Sequence, residues 1–307
     1  MRILQHRDID SITNRIAVVG TFDGVHRGHR FLLQVLNNEA AKHGLESTVI
    51  TFAQHPLTTI RPDDVPSMLS TLDERLIKIE SCGVECCVVL DFNEQLQQLT
   101  AREFLEKISC DYGVKMLVMG FNTLFGKDRI KDLIKYQLIG KEIGIEVIQA
   151  TEYGSGISSS VIRKMIADGQ ISKANEALGY SYSIVGKVVK GKQLGRTIGF
   201  PTANVEVLDH KKLIPATGVY AVDVILDQSN EKHRAMLNIG RRPTVDVENA
   251  PITIEAHIIN YNGNLYEKTL CIEFLQFLRK ERTFSSLNAL TSQLNKDLQQ
   301  ALNIQTT

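Results

Sequence analysis

Two patterns predict an α/β domain followed by a mainly β domain. In the first half, short apolar or β-branched runs alternate with stretches whose apolar residues recur at helical spacing. That alternation implies a parallel sheet with helices on both faces. After Tyr182 strand-like runs separated by turn-rich segments take over, as in an antiparallel barrel or sandwich, and a final helix closes the chain. The length of 307 residues suits two domains, read as 1–182 and 183–307.

The elements come in order. Residues 16–19 are a buried strand, and Phe31, Leu32, Val35 and Leu36 form a helical stripe behind it. Residues 47–52 are strand-like, Leu72, Leu76 and Ile79 mark a helix, and 86–90 make the next strand. Residues 102–108 read as helix, 116–119 as strand, 130–143 as helix and 145–148 as the closing strand. One helix over 161–178 is expected to join the domains. Then 183–189, 219–226, 252–259 and 270–274 are strand-like. A strand at 252–259 buries Ile252, Ile254, Ala256 and Ile258 and turns Thr253, Glu255 and His257 the other way. The last helix carries Leu287, Leu290, Leu294, Leu298 and Leu302 as one apolar stripe for packing on the core.

Composition narrows the function. Thirty-five basic side chains balance 35 acidic ones, which argues against a nucleic-acid binder but not against a site for one small polyanion. No apolar run reaches the roughly 18 residues of a membrane span, and residues 1–10 lack a signal-peptide core. A cytoplasmic location is expected, and no obligate protein partner is readable. Cys82, Cys86, Cys87, Cys110 and Cys271 are odd in number without C-x-x-C spacing, so reduced thiols are expected rather than disulfides or a zinc knuckle.

In open parallel sheets ligands sit beyond the carboxyl ends of the strands. There, after the first strand, stands G-T-F-D-G-V-H-R-G-H over residues 20–29. Gly20, Gly24 and Gly28 let the backbone approach a ligand, and the helix start beyond offers N–H groups to phosphate. His26 and His29 lie three apart and face one way on a first helical turn. They could hydrogen-bond phosphoryl oxygens, or serve as zinc ligands for which no third ligand is obvious. Later, Ile157-Ser158-Ser159-Ser160-Val161-Ile162-Arg163 sets capping serines before an arginine suited to phosphate.

The second domain carries Gly195-Arg196-Thr197-Ile198-Gly199-Phe200-Pro201-Thr202-Ala203-Asn204. Pro201 keeps Phe200 extended. In an extended segment Thr202 and Asn204 share one side, presenting two hard oxygen ligands suited to Mg²⁺ beside phosphate. Lys187, Lys190, Lys192 and Arg196 precede them with no acidic residue between.

The H-x-G-H of residues 26–29 resembles the nucleotidylyltransferase superfamily signature. With Thr51-Phe52-Ala53-Gln54-His55-Pro56, Gly120-Phe121-Asn122-Thr123-Leu124-Phe125-Gly126 and the serine motif, the first half is similar to the adenylyltransferase module of bacterial bifunctional riboflavin kinase/FAD synthetases. The second half resembles their riboflavin kinase module, through residues 195–204, Thr217-Gly218-Val219-Tyr220-Ala221, Asn238-Ile239-Gly240 with Pro243-Thr244, Ile254-Glu255-Ala256-His257 and Leu278-Arg279-Lys280-Glu281. The resemblance implies a Rossmann-like domain, then a small antiparallel barrel with a C-terminal helix. It implies phosphorylation of riboflavin to FMN and transfer of AMP from ATP to FMN, giving FAD and pyrophosphate. ATP and Mg²⁺ serve both steps, and flavins are substrate and product.

Carried over residue by residue, His26, His29, Asn122 and Arg163 are the adenylyl-transfer candidates, with Gly20, Phe22, Gly24, Gly28 and Ser159 around ATP. In the kinase, Glu255 is the base toward the ribityl 5′-hydroxyl and Thr202 and Asn204 hold the metal. Gly191, Lys192, Gly195, Arg196 and Gly199 hold phosphate there, and Arg279 and Glu281 hold flavin. Four positions depart from the pattern: Gln54, Thr123, Asn264 and Glu267. Thr123, where the family often has an aromatic, motivates an alternative: a riboflavin kinase with an impaired adenylyltransferase domain. A non-enzymatic flavin-binding regulator is the other rival, which the intact His26, His29, Thr202 and Glu255 oppose.

Overall fold

A computed structural model describes residues 1–6, 8–10, 12–154, 156–191, 198–226, 231–241 and 251–305. By contact the chain divides into two compact units, Met1–Ser159 and Ser160–Thr307.

In the first unit six strands, β1 (Arg2–Gln5), β2 (Arg15–Val19), β3 (Glu46–Phe52), β4 (Cys86–Leu90), β5 (Val114–Met119) and β6 (Glu146–Gln149), form one sheet in the order β1-β4-β3-β2-β5-β6. Every pairing in it is parallel. The helices are α1 (Arg27–His43), α2 (Leu57–Ile60), α3 (Leu72–Glu80), α4 (Glu94–Gln97), α5 (Ala101–Tyr112) and α6 (Leu133–Ile143). Ile16, Val18 and Val49 pack with Leu33 and Leu36 of α1 and Ile79 of α3. Ala17, Val19 and Ile50 turn the other way, onto Phe104 and Ile108 of α5 and Tyr136 of α6. Both sheet faces are thus covered, which is why the strands read as continuous apolar runs. Capping boxes at Thr71–Glu74 and Thr100–Glu103 start α3 and α5. Strand order reverses beside β2: β3 and β4 extend the sheet one way, β5 and β6 the other. Residues 20–29 and 120–126 leave the carboxyl ends of β2 and β5, the two strands flanking that switch point.

The second unit includes α7 (Ser159–Ala167) from its second residue, and α8 (Ile171–Leu178). The single joining helix expected over 161–178 is therefore two. Gly169, at φ 75°, breaks it, and the Gly169 and Gln170 N–H groups bond back to Ile166 and Met165 carbonyls. Six further strands, β7 (Ser183–Val189), β8 (Ala203–Val207), β9 (Gly218–Leu226), β10 (Lys232–Arg241), β11 (Ile252–Ile258) and β12 (Thr269–Arg279), close into an antiparallel barrel in the order β10-β11-β8-β7-β12-β9. Along β11, Ile254, Ala256 and Ile258 are buried while Thr253, Glu255 and His257 are half-buried, the expected alternation. Ile252, at the strand's first position, is exposed instead. α9 (Leu287–Asn303) covers one side of the barrel. Leu294, Leu298 and Ala301 meet Phe200, Ala221, Met236 and Ile259. The stripe is shorter than expected, because Leu287 and Leu302 lie exposed at the helix ends.

Arg15 anchors the lower end of the first sheet. Fully buried, it donates from Nε to Glu46 at 2.7 Å, from Nη2 to the Asp10 carboxylate at 2.6 Å, and from Nη1 to the Asp10 and Tyr112 carbonyls at 2.6 Å. That guanidinium holds the Asp10 carboxyl down to about 2. Replacement by methionine removes a buried charge but strands its acceptors. Arg15→Met is expected to lower stability by about 3–5 kcal/mol in urea titrations; an unchanged midpoint contradicts this.

Candidate active sites

Beyond β2 the chain turns at once. Phe22, Gly24 and Val25 take φ of 51°, 78° and 37°, a left-handed series that is costly at the two side-chain-bearing residues. Two buried charges hold it. The Asp23 carboxylate accepts from Leu69 N and Ser70 N at 3.0 Å and from Ser70 Oγ at 3.1 Å, and Ser70 Oγ accepts from Gly24 N at 2.9 Å. Arg75 donates to the Thr21 and Phe52 carbonyls at 2.6 Å, joining the ends of β2 and β3. Ser159 Oγ donates to Asp23 O at 2.9 Å, so the serine motif reaches this loop.

His26 is the N-cap of α1: its Nδ1 accepts from His29 N at 3.3 Å. The ring proton therefore sits on Nε2, leaving that N–H to donate. The two imidazoles stack, centroids 3.7 Å apart and 17° from parallel. His29 Nδ1 is buried without a hydrogen-bond partner. Burial pushes His26 down to about 4 despite attraction from Asp23. Burial, then His26 and Arg75, push His29 well below the ordinary histidine value. Near pH 7 both rings are neutral N–H donors. Gly28 faces the His26 ring, where an added Cβ would stand 3.2 Å away.

Past the ends of β2, β3 and β5 lies a cavity of about 640 Å³, walled by Gly20, Thr21, Phe52, Phe92, Asn122 and Phe125 among others. Asn122 is thus placed at the cavity, and Gly20 is shared between cavity and loop. The left-handed Gly126 brings this wall against the start of α5; a Cβ there would stand 2.4 Å from Ala101 N. Thr123 lines the same cavity.

In the barrel the second-domain candidates Thr202, Asn204 and Glu255 meet on the half-buried face. Glu255 lies opposite Asn204 across β11 and β8, and opposite Asn238 across β10. Thr202 Oγ donates to Glu255 Oε2 at 3.2 Å. Gly191 backs onto Asn204, with no room for a side chain: a Cβ would stand 2.0 Å from the amide nitrogen. Gly199, at φ 80°, turns the chain into Phe200. Thr202 and Asn204 line a small cavity with Tyr261 and Tyr266.

Other candidates are placed differently. Arg163 sits half-buried on α7, within the second unit. The Arg279 guanidinium is bound by the buried Asp297 of α9 at 2.8–3.1 Å. Glu281 accepts from Asn238 Nδ2 at 3.2 Å and stands over Gly240. Lys192, Gly195, Arg196, Pro243 and Thr244 lie outside the described residues. Lys187 of the basic run pairs with Glu267 at 2.5 Å. Glu267 itself takes φ 65°, a left-handed conformation that favours glycine.

Sequence patterns alone do not single out Asp23, Ser70, Arg75 or the aromatic walls. Arg75 leaves a trace: it occupies the apolar stripe of Leu72, Leu76 and Ile79. The aromatics leave one too, since Phe52 ends β3 and Phe92 stands two residues past β4.

Two family models match: FAD synthetase over residues 8–161 and riboflavin kinase over 178–305. The chain is 35% identical to a bifunctional riboflavin kinase/FMN adenylyltransferase of Escherichia coli strain K12, covering 92% of this chain and 90% of that one. A Bacillus subtilis protein of the same description is 35% identical, covering 94% and 91%. Among solved structures, one described as a macrolide-efflux protein from Streptococcus pneumoniae superposes with a TM-score of 0.88 at 34% identity, covering 99% of this chain and all of that one. Among the described residues, no helix here is long and apolar enough to cross a membrane.

The buried histidines make stability depend on pH. Because the folded state keeps His26 neutral down to about pH 4, the unfolded chain takes up the proton first as pH falls below about 6.5. Stability should drop between those values by about 3 kcal/mol for His26 alone. The double variant H26N/H29N, which keeps an N-cap residue, should flatten that slope in urea titrations at stepped pH; an unaltered slope contradicts the assignment. Separately, Glu267→Gly should raise the thermal midpoint by a few degrees. A fall would show that the Lys187 pair outweighs the backbone strain.

Proposed function

The chain belongs to the bifunctional riboflavin kinase/FMN adenylyltransferase family, and from that premise we propose which residues perform each reaction. The two reactions are phosphorylation of riboflavin by ATP, giving FMN, and adenylyl transfer from ATP to FMN, giving FAD and pyrophosphate. Riboflavin, FMN, FAD and ATP are its substrates and products. We assign adenylyl transfer to 1–182 and phosphorylation to 183–307, and place both in the cytoplasm, where ATP is made.

In the first module an FMN phosphate oxygen attacks the α-phosphorus of ATP, and the bond to the departing pyrophosphate breaks. His26 and His29 donate N–H groups to phosphoryl oxygens whose charge grows in the transition state. Being neutral, they need no counter-charge beforehand. The loop glycines Gly20, Gly24 and Gly28, with Phe22, let the triphosphate approach the backbone closely at the start of α1. Ser159 is held to the same loop through Asp23 O, and Arg163 adds positive charge toward the triphosphate. The aromatic cavity takes the flavin ring, with Asn122 at its polar edge.

In the second module Glu255 takes the proton of the ribityl 5′-hydroxyl as that oxygen attacks the γ-phosphorus and ADP leaves. The observation that carries this reading is the Thr202–Glu255 hydrogen bond, which sets candidate base and candidate metal ligand side by side. Thr202 hydroxyl and Asn204 amide oxygen are hard donors on one face, a set that fits Mg²⁺. The remaining ligands would be phosphate and water, since no cluster of three His, Cys, Asp or Glu occurs among the described residues. Bound Mg²⁺ would offset phosphate charge. Gly191, Lys192, Gly195, Arg196 and Gly199 are the assigned phosphate-side residues, of which Gly191 and Gly199 are described. Glu281, beside Asn238, accepts from flavin hydroxyls, with Arg279 steadied next to it by Asp297.

Glu255→Gln should cut FMN formation at least 100-fold while FAD formation from added FMN persists. H26N/H29N should show the reverse pattern. Separated products of the full-length variants read both at once, and full FAD formation by the histidine variant overturns the first assignment.

A further inference from the structure

The P-T-A-N segment is gripped by more than the residues that carry chemistry. Phe200 is buried among Met236, Ala221 and Ile259. Ala203 and Asn204 pair with Ala256 and Glu255. Between these anchors lie Pro201 and Thr202. Pro201 has no N–H, so only its carbonyl can be held. His257 holds it: Nδ1 lies 2.8 Å from Pro201 O, and its ring leans on Phe200 with centroids 5.1 Å apart.

We propose that His257 is a positioning residue for the kinase reaction, fixing the Pro201 carbonyl so that Thr202 keeps its hydroxyl at Glu255 and at the metal–phosphate side. The inference rests on the reading of Thr202 given above. A carbonyl oxygen only accepts, so Nδ1 must carry the proton, in the neutral Nδ1–H form or in the imidazolium. β11 then grips the segment at two points two residues apart, His257 on a backbone oxygen and Glu255 on a side-chain hydroxyl. Without the first grip, the peptide between Pro201 and Thr202 is free to rotate, and the Thr202 hydroxyl moves with it. A displacement near 1 Å at a positioned group costs on the order of 100-fold in rate.

The test compares His257→Asn with His257→Leu in the full-length protein. These side chains share one shape, and both remove the ring from Phe200. Only asparagine keeps a donor close to where Nδ1 stands. FMN formation is measured with ATP and with Mg²⁺ varied, and FAD formation from added FMN serves as a second readout. Expected are a loss of about 10- to 100-fold in kcat/KM for ATP in the leucine variant, a higher Mg²⁺ requirement, and an unchanged KM for riboflavin. The asparagine variant should recover to within a few-fold of the parent, and FAD formation should change less than twofold in either. Equal impairment of both variants overturns the proposal, because ring packing rather than the hydrogen bond would then matter. So does full kinase activity in the leucine variant. Thr202→Val is run beside them: if it keeps kinase activity, the reading of Thr202 fails on its own account.

Discussion

A guanidinium buried where the two central strands end is the interaction on which the histidine loop depends. Arg75 is 1% exposed, and burial pulls its pKa down while the Asp23 carboxylate pulls it up. Removing such a group from water is costly, and two carbonyl hydrogen bonds with an opposite charge offset that cost. Each link of the loop then leans on the one before. Arg75 fixes Thr21, Asp23 fixes Gly24 through Ser70, and between them Phe22 and Val25 are kept in conformations they would otherwise leave. Only from that turn can His26 cap α1 and His29 stack against it.

The barrel reaches an ordered polar site by another route. Its candidates sit at matching register positions on three adjacent strands: Asn238, Glu255 and Asn204. Strand pairing sets their spacing, so little loop strain is needed. The left-handed Glu267 and Gly199 lie in the turns around that face. One unit thus holds its strain at the site itself, the other beside it.

Much of this was legible in the residues. Periodicity gave the parallel sheet and the last helix, and the glycine and histidine spacing gave the loop after β2. β1 escaped notice because a short, mostly exposed edge strand carries no burial pattern. β10 escaped because it opens on Lys232, His233 and Arg234, and Asn238 and Gly240 break up the apolar residues that follow. β8 is legible only at its start: the stretch up to Asn204 reads as extended, whereas the alternation of Ala203, Val205 and Val207 with Asn204 and Glu206 carries the strand on to Val207. Asp23 and Arg75 could not be paired from sequence, since their link runs through Ser70 and two backbone carbonyls far apart in the chain. Arg279 has a partner that its motif position does not announce: Asp297, eighteen residues on, takes its fork of donors.

The division of the chain between Ser159 and Ser160 bears on how such a protein can be taken apart. Compactness cuts inside the serine–arginine motif, leaving Ser159 with the sheet and Arg163 with the barrel. A fragment trimmed to the contact boundary parts two side chains one helical turn apart. A fragment carried to residue 182 keeps them together but takes α8 from the barrel, where Asn175 holds the Phe274 carbonyl and the Tyr182 N–H. Gene fission, natural or engineered, therefore has no clean position in this stretch.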